Sequence, residues 1–175
     1  MISQIVVPLD KKGSLTKWEL ASLIRDLQRI VKQQSVATDK NGIRKCAYAI
    51  LSIMKKVGIK SELLYLDDKD IPPIIFGEIK PKKSRKNKTV LFYNHYDVQP
   101  AGPVENWKHK PFGAEVVGKR IYGRGAADDK GELITRVKAV EHCLEKANDI
   151  PCTVKFIVEG EEESGSTNIE LYNCL

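Results

Sequence analysis

The sequence predicts an α/β fold, a mixed and partly parallel sheet flanked by helices. Two observations carry that expectation. Short apolar runs rich in β-branched residues alternate with longer stretches of helical periodicity. Three polar clusters rich in His, Asp and Glu follow apolar strands or precede a helix, and functional groups of open α/β sheets gather beyond the carboxyl ends of strands.

The elements follow in order. Residues 16–34 place Leu20, Leu23, Ile24, Leu27, Ile30 and Val31 on one stripe of a helix. Residues 33–41 are polar and read as a loop. Residues 42–57 form a second amphipathic helix through Ile43, Ala47, Ile50, Leu51 and Met54, with Gly58 at its C-cap. Strands are expected over 63–66, 74–79 (after the Pro72-Pro73 break) and 89–93, the most apolar of the three. Residues 115–122 read as a hairpin turning at Gly118-Lys119. A helix over 130–147 carries Leu133, Ile134, Val137, Val140 and Leu144 on one stripe. A last strand covers 153–158, and a further helix is expected to begin in 167–173.

Composition narrows the class. The chain has 175 residues, 42% hydrophobic and 30% charged, which suits a globular domain with a real core. No apolar run approaches the length of a membrane span, and the N-terminus lacks the pattern of a secretory signal. Cys46, Cys143, Cys152 and Cys174 are scattered without a CxxC pair, as expected of reduced thiols in the cytoplasm. The net charge of +6 is matched by the six basic side chains of residues 80–88. Such a run can bind nucleic acid. With no aromatic residue interleaved to stack on bases, a solvated loop or hairpin is the favoured reading, and no nucleic-acid partner is expected.

Three clusters carry chemistry. Asn94-His95-Tyr96-Asp97 directly follows the strand 89–93. On extended chain His95 and Asp97 point to one face, which suits a metal ligand with an orienting acid or a general base with its partner. The second cluster is Tyr122-Gly123-Arg124-Gly125-Ala126-Ala127-Asp128-Asp129-Lys130-Gly131. It is no dinucleotide fingerprint, because Asp128 occupies the third glycine position and would repel pyrophosphate. Helix capping accounts for one of the two Asp residues but not for the two preceding glycines. The third cluster is Glu159-Gly160-Glu161-Glu162-Glu163-Ser164-Gly165-Ser166, where consecutive glutamates suit a solvated turn or a cation site. One histidine with several carboxylates is the donor set of zinc or of a divalent metal pair in a hydrolase.

With these motifs the sequence resembles the metal-dependent aminoacylase, carboxypeptidase and dipeptidase family, which includes carnosinase-like dipeptidases and succinyl-diaminopimelate desuccinylase. The stretches that carry the resemblance are Asn94 to Pro100, Trp107 with Pro111-Phe112, Ile121 to Gly131, and Glu159 to Ser166. The similarity spans about residues 18 to 172, and its motifs look most like the dipeptidase and carboxypeptidase branch. Residue by residue, it implies that His95 is a terminal metal ligand and Asp97 its orienting acid. Asp128 would bridge two metals and be followed by a cis peptide. Glu162 would be the general base and Glu163 a ligand of the second metal. Asn94 stands where glycine is more common.

The resemblance also implies two Zn2+ ions, with Co2+ or Mn2+ as substitutes, and hydrolysis of a dipeptide or an N-acyl amino acid. Family members continue further, with another carboxylate ligand, a lid and dimerisation domain, and a late histidine ligand. Neither His109 nor His142 matches that histidine. The expectation is therefore a truncated N-terminal part of a zinc-peptidase catalytic domain, spanning residues 1–175, that is inactive alone. The alternative is a non-catalytic folded remnant acting through self-association, as a homo-oligomer, or through partner binding.

Overall fold

The computed structural model describes residues 4–6, 15–83 and 88–172. Part of the basic run, residues 84–87, and Cys174 lie outside them. The element order is β1 (Gln4–Val6), α1 (Lys17–Lys32), α2 (Lys40–Val57), β2 (Lys60–Leu64), β3 (Ile74–Ile79), β4 (Thr89–His95), β5 (Glu115–Val117), β6 (Arg120–Tyr122), α3 (Lys130–Ala147) and β7 (Thr153–Glu159). Four strands form the main sheet in the order β2-β3-β7-β4, and a small sheet has the order β1-β6-β5. The family of elements matches the expected mixed α/β class. Only the β4–β7 pair is parallel among the described strands; β2–β3, β3–β7 and both pairs of the small sheet are antiparallel.

The helical stripes do what their spacing predicts. Leu23, Leu27, Ile30 and Val31 of α1, Ile43, Ala47, Ile50 and Met54 of α2, and Leu133, Ile134, Val137 and Val140 of α3 are buried in one core. Leu20 and Ile24 instead line a cleft of about 70 Å³ with Val116 and Ile121 of the small sheet. On the main sheet Val154, Phe156 and Val158 of β7 face this core, and the Phe92 ring of β4 meets Phe156 on the same side. On the other side Lys155 of β7 lies over the Phe76 ring of β3 and pairs with Glu78. At the sheet edge Leu91 and Tyr93 of β4 are 54% and 46% exposed.

Two helices are capped in the way their sequences favour. Thr16 and Glu19 close a reciprocal capping box on α1, with Thr16 N–H donating to the Glu19 carboxylate (2.6 Å) and Glu19 N–H donating to Thr16 Oγ1 (3.2 Å). Asp39 accepts from Gly42 N–H at the start of α2, and Gly58 ends that helix in the left-handed conformation. Thr16→Ala is expected to lower stability by roughly 1 kcal/mol, read as a shift in thermal unfolding.

Two expectations need correction. The strand expected at 63–66 starts earlier and is Lys60–Leu64, because its register against Ile74–Glu78 begins at Lys60. The helix expected in 167–173 is a single 3-10 turn, Ile169–Leu171, after which the Tyr172 hydroxyl donates to the Pro72 carbonyl. The described lysines of the basic run are exposed, as a solvated loop requires, and the run is anchored at its start: Lys82 N–H donates to Asp149 and its ammonium to Asn148.

One buried cation ties the helices together. Lys130, the first residue of α3, is fully buried, and its ammonium donates to the carbonyls of Ile30 (2.8 Å) and Gln33 (2.9 Å) at the end of α1. Those carbonyls lack helical partners of their own, so the lysine caps α1 from a distance. Burial pushes its amine below the usual lysine range, and the neighbouring Cys46 and Asp97 push it back up.

Candidate metal centre

The parallel pairing of β4 and β7 sets the site. Its register places Asn94 opposite Val158 and His95 opposite Glu159, so both strands deliver their carboxyl ends side by side. Tyr96 N–H continues the ladder to the Glu159 carbonyl (2.8 Å), and the buried Tyr96 hydroxyl donates to Pro73. Asp97, beyond the strand, is fully buried.

Asp97 holds two things at once. Its carboxylate lies 3.3 Å from His95 Nδ1, which also meets the Asp97 carbonyl at 3.2 Å. The same carboxylate accepts the backbone N–H of Glu162 (3.3 Å) and Glu163 (3.0 Å). The Gln99 amide adds a bond to the Glu163 carbonyl. The acidic 3-10 turn Glu162–Ser164 is thus docked against the loop that carries the histidine.

The other ring nitrogen faces carboxylates. His95 Nε2 is 3.0 Å from Asp128 Oδ1 and 3.8 Å from Glu162 Oε2. One ligand atom from each of His95, Glu162 and Glu163 lies within 4.8 Å of the others. Asp128 joins through His95, outside that tight group, with its side chain 77% exposed. Burial would lower the His95 pKa, but hydrogen bonds to Asp97 and Asp128 and the charges of Asp97 and Asp129 overcome it and raise it to about 9. Several carboxylates converging on a buried imidazole are chemically matched to a divalent cation. The donor set fits the metal that the resemblance implies.

The structure separates the three consecutive glutamates. Both oxygens of Glu161 accept from the Asn168 amide at 3.0 Å, which leaves Glu162 and Glu163 to face His95. It also explains the two glycines before Asp128. A Cβ on Gly123 would meet Val31 at 2.6 Å, and one on Gly125 would meet Val98 at 2.6 Å in a backbone with φ +78°. The Asp128–Asp129 peptide is cis.

Several residues around the site had been given no specific role by the sequence. Glu159 is buried and accepts from the Tyr93 hydroxyl and from Ser166 Oγ. Burial first, then the bond to Glu159, pushes the Tyr93 hydroxyl up to about 12. Helix capping was expected of one of Asp128 and Asp129. Asp129 occupies the N-cap position of α3 but makes no side-chain cap bond. Its Oδ2 instead accepts from Asn94 Nδ2 (2.6 Å) and from His95 N–H (3.0 Å). The signal available in the sequence was the Asp-Asp doublet together with Asn94 in place of the commoner glycine. Of the other histidines, His109 pairs with Glu115 and His142 with Glu19, both away from this centre.

Residues 91–171 match the profile of Peptidase family M20/M25/M40. The Cys-Gly metallodipeptidase dug1 of Schizosaccharomyces pombe is 36% identical over 173 residues, which cover 93% of this chain and 36% of that protein. The human Beta-Ala-His dipeptidase is 40% identical over 100 residues, covering 57% of this chain and 19% of that one. Among solved structures, the M20 family metallo-carboxypeptidase Sso-CP2 of Sulfolobus solfataricus matches with a TM-score of 0.75 and 38% identity, over 90% of this chain and 34% of its own. Human carnosine dipeptidase 1 matches with a TM-score of 0.79 and 27% identity, over 88% and 35%. The chain spans 36% of the length of the first of these relatives and 19% of the second. No helix among the described residues is long and apolar enough to cross a membrane. Motif, fold and relatives together support a metal-dependent dipeptidase and carboxypeptidase family for this chain.

Proposed function

We propose that this chain carries the metal-binding part of a cytoplasmic hydrolase that cleaves the amide bond of a dipeptide, a peptide carboxyl terminus or an N-acyl amino acid. One observation carries the reading: His95, Asp128, Glu162 and Glu163 converge beyond the carboxyl ends of two parallel strands. His95, Asp128 and Glu163 would hold two divalent cations, zinc with cobalt or manganese as substitutes and Asp128 shared between them, and these would polarise the substrate carbonyl and acidify water.

The chain's own residues do the rest. Asp97 keeps Nδ1 of His95 engaged, so that Nε2 is turned to the carboxylates. Glu162, 44% exposed at its side chain and 3.8 Å from that nitrogen, takes the proton of the attacking water and returns it to the leaving amine. Glu161 takes no part, being bound to Asn168. The free thiols Cys46, Cys143 and Cys152 support the cytoplasmic setting.

Three ligands shared by two ions fall short of the four donors zinc takes. The reading therefore includes that these 175 residues are the N-terminal part of a longer catalytic domain, with its lid and dimerisation domain and the remaining ligands elsewhere. Alone they bind zinc weakly and hydrolyse poorly. Zinc titration of the chain by calorimetry, beside a dipeptide hydrolysis assay with zinc added, tests this. Weak binding that disappears in His95→Ala and Glu163→Gln, with no measurable turnover, is expected. Binding unchanged in both variants would overturn the assigned site, and robust turnover would overturn the incompleteness.

A second reading, self-association without catalysis, is favoured by the exposed Leu91 and Tyr93 on the edge strand β4. Arg136 and Asp129 already occupy the Tyr93 carbonyl and the His95 N–H on this edge, so another strand would have to pair with its start, near Leu91. Sedimentation would then detect a concentration-dependent dimer that Leu91→Lys abolishes, and a monomer at every concentration removes the reading.

A further inference from the structure

We infer that Asp129, braced by Asn94, is a positioning residue of the metal centre that fixes Asp128 against His95, an inference that rests on the metallopeptidase reading above. Asp129 stands where a helix cap belongs, yet its carboxylate caps nothing. Thr16 and Asp39, at the starts of α1 and α2, both use their side chains as caps. At α3 the capping bond, which ordinarily stabilises a helix, is given up. The carboxylate is turned towards β4 instead.

What it meets there is specific. One oxygen, Oδ2, receives two N–H groups, the Asn94 amide at 2.6 Å and the backbone of His95 at 3.0 Å. The donors come from the residue before the histidine and from the histidine itself. The acceptor belongs to the residue after Asp128. A single carboxylate oxygen therefore links the backbone of one expected ligand to the residue adjoining the next. The contact it governs is the 3.0 Å approach of His95 Nε2 to Asp128 Oδ1. Asp128 has an exposed side chain and no strand of its own to hold it, so its place depends on the turn behind it.

Asn94 bears the mark of this arrangement. It is 1% exposed, and its Oδ1 accepts no hydrogen bond among the described residues. A buried amide with an unsatisfied oxygen is destabilising by itself. Glycine would avoid that penalty but would leave Asp129 with the His95 N–H alone. The amide is explained by the bond its nitrogen makes. Partners that orient metal ligands in this way usually matter to affinity as well as to folding.

The test compares zinc affinity, by competition with a chromophoric chelator, for the chain and for Asp129→Ala, Asp129→Asn, Asn94→Gly and His95→Ala, with thermal midpoints taken in parallel. Asp129→Ala is expected to weaken zinc binding roughly tenfold or more, as loss of an orienting partner typically does. Asp129→Asn, whose amide oxygen can still accept both N–H groups, is expected to retain most of the affinity. Asn94→Gly is expected to fall between them. Wild-type affinity in Asp129→Ala, with affinity lost in His95→Ala, overturns the positioning role and leaves the metal reading standing. Equal losses in Asp129→Asn and Asp129→Ala overturn it too, because a hydrogen-bonding role requires the rescue. Wild-type affinity in His95→Ala overturns the metal reading and this inference with it. Should Asp129→Ala fail to fold, the contrast between Asp129→Asn and Asn94→Gly decides the matter, and equality of both with the wild type overturns the inference.

Discussion

Replacing Asp97 with alanine is expected to disable the metal centre more completely than any other single change outside the ligands. The backbone N–H groups of Glu162 and Glu163 lose their acceptor together, and His95 Nδ1 keeps only the Asp97 carbonyl of its two partners. Water cannot readily replace the carboxylate, because Asp97 is fully buried. The two amides are only part-buried, so each lost bond costs roughly 1 kcal/mol. The ring of His95 is held less firmly, by the Asp97 carbonyl without the carboxylate, and the turn bearing Glu162 and Glu163 is left with the Gln99 amide as its bond to the histidine loop. Zinc affinity is expected to fall about 100-fold, the upper end for loss of an orienting partner. Asp97→Asn keeps one acceptor oxygen for three donors and is expected to be intermediate. Chelator competition reads the affinity and thermal melting the stability; wild-type affinity in Asp97→Ala would contradict the dual role.

Lys130→Met is expected to produce the largest loss of stability near the site, about 3 kcal/mol. The substitution preserves length and apolar volume. It removes two hydrogen bonds from a charged donor, each worth roughly 1.5–3 kcal/mol, and leaves two carbonyls at the end of α1 without partners. Relief from burying an ammonium offsets part of that loss. For a chain of this size the melting midpoint should drop by about 10 °C. A drop no larger than that of Thr16→Ala would mean that α1 ends as well without the lysine.

The sequence made the local chemistry legible. The stripes of the three helices, the glycine closing α2 and the hairpin at Gly118 follow from periodicity and turn rules, and the structure carries them at nearly the expected positions. The pairing of His95 with Asp97 followed from the two-residue repeat of a strand. What depends on distant partners was not legible. Glu161 differs from Glu162 and Glu163 only because Asn168 holds it. Asp128 and Asp129 are equally good candidates for a cap until β4 is placed beside Asp129. Lys130 reads as the first polar residue of a helix until the end of α1 is seen above it. The direction of each strand pair was equally hidden, since alternation specifies a face and not a neighbour.

The parallel pair that joins β4 to β7 has a consequence for how the molecule comes to exist. Asp97 and the N–H group of Glu163 that it accepts are 66 positions apart in the chain. During synthesis the apolar strand β4 emerges well before β7, its sheet neighbour among the described strands, with α3 still to be made. Contacts of such long range close slowly and leave hydrophobic edges open in the meantime. The centre should therefore be among the last parts of the chain to acquire its shape. A strand that must wait beside the ribosome for its partner is where a chaperone would be most useful.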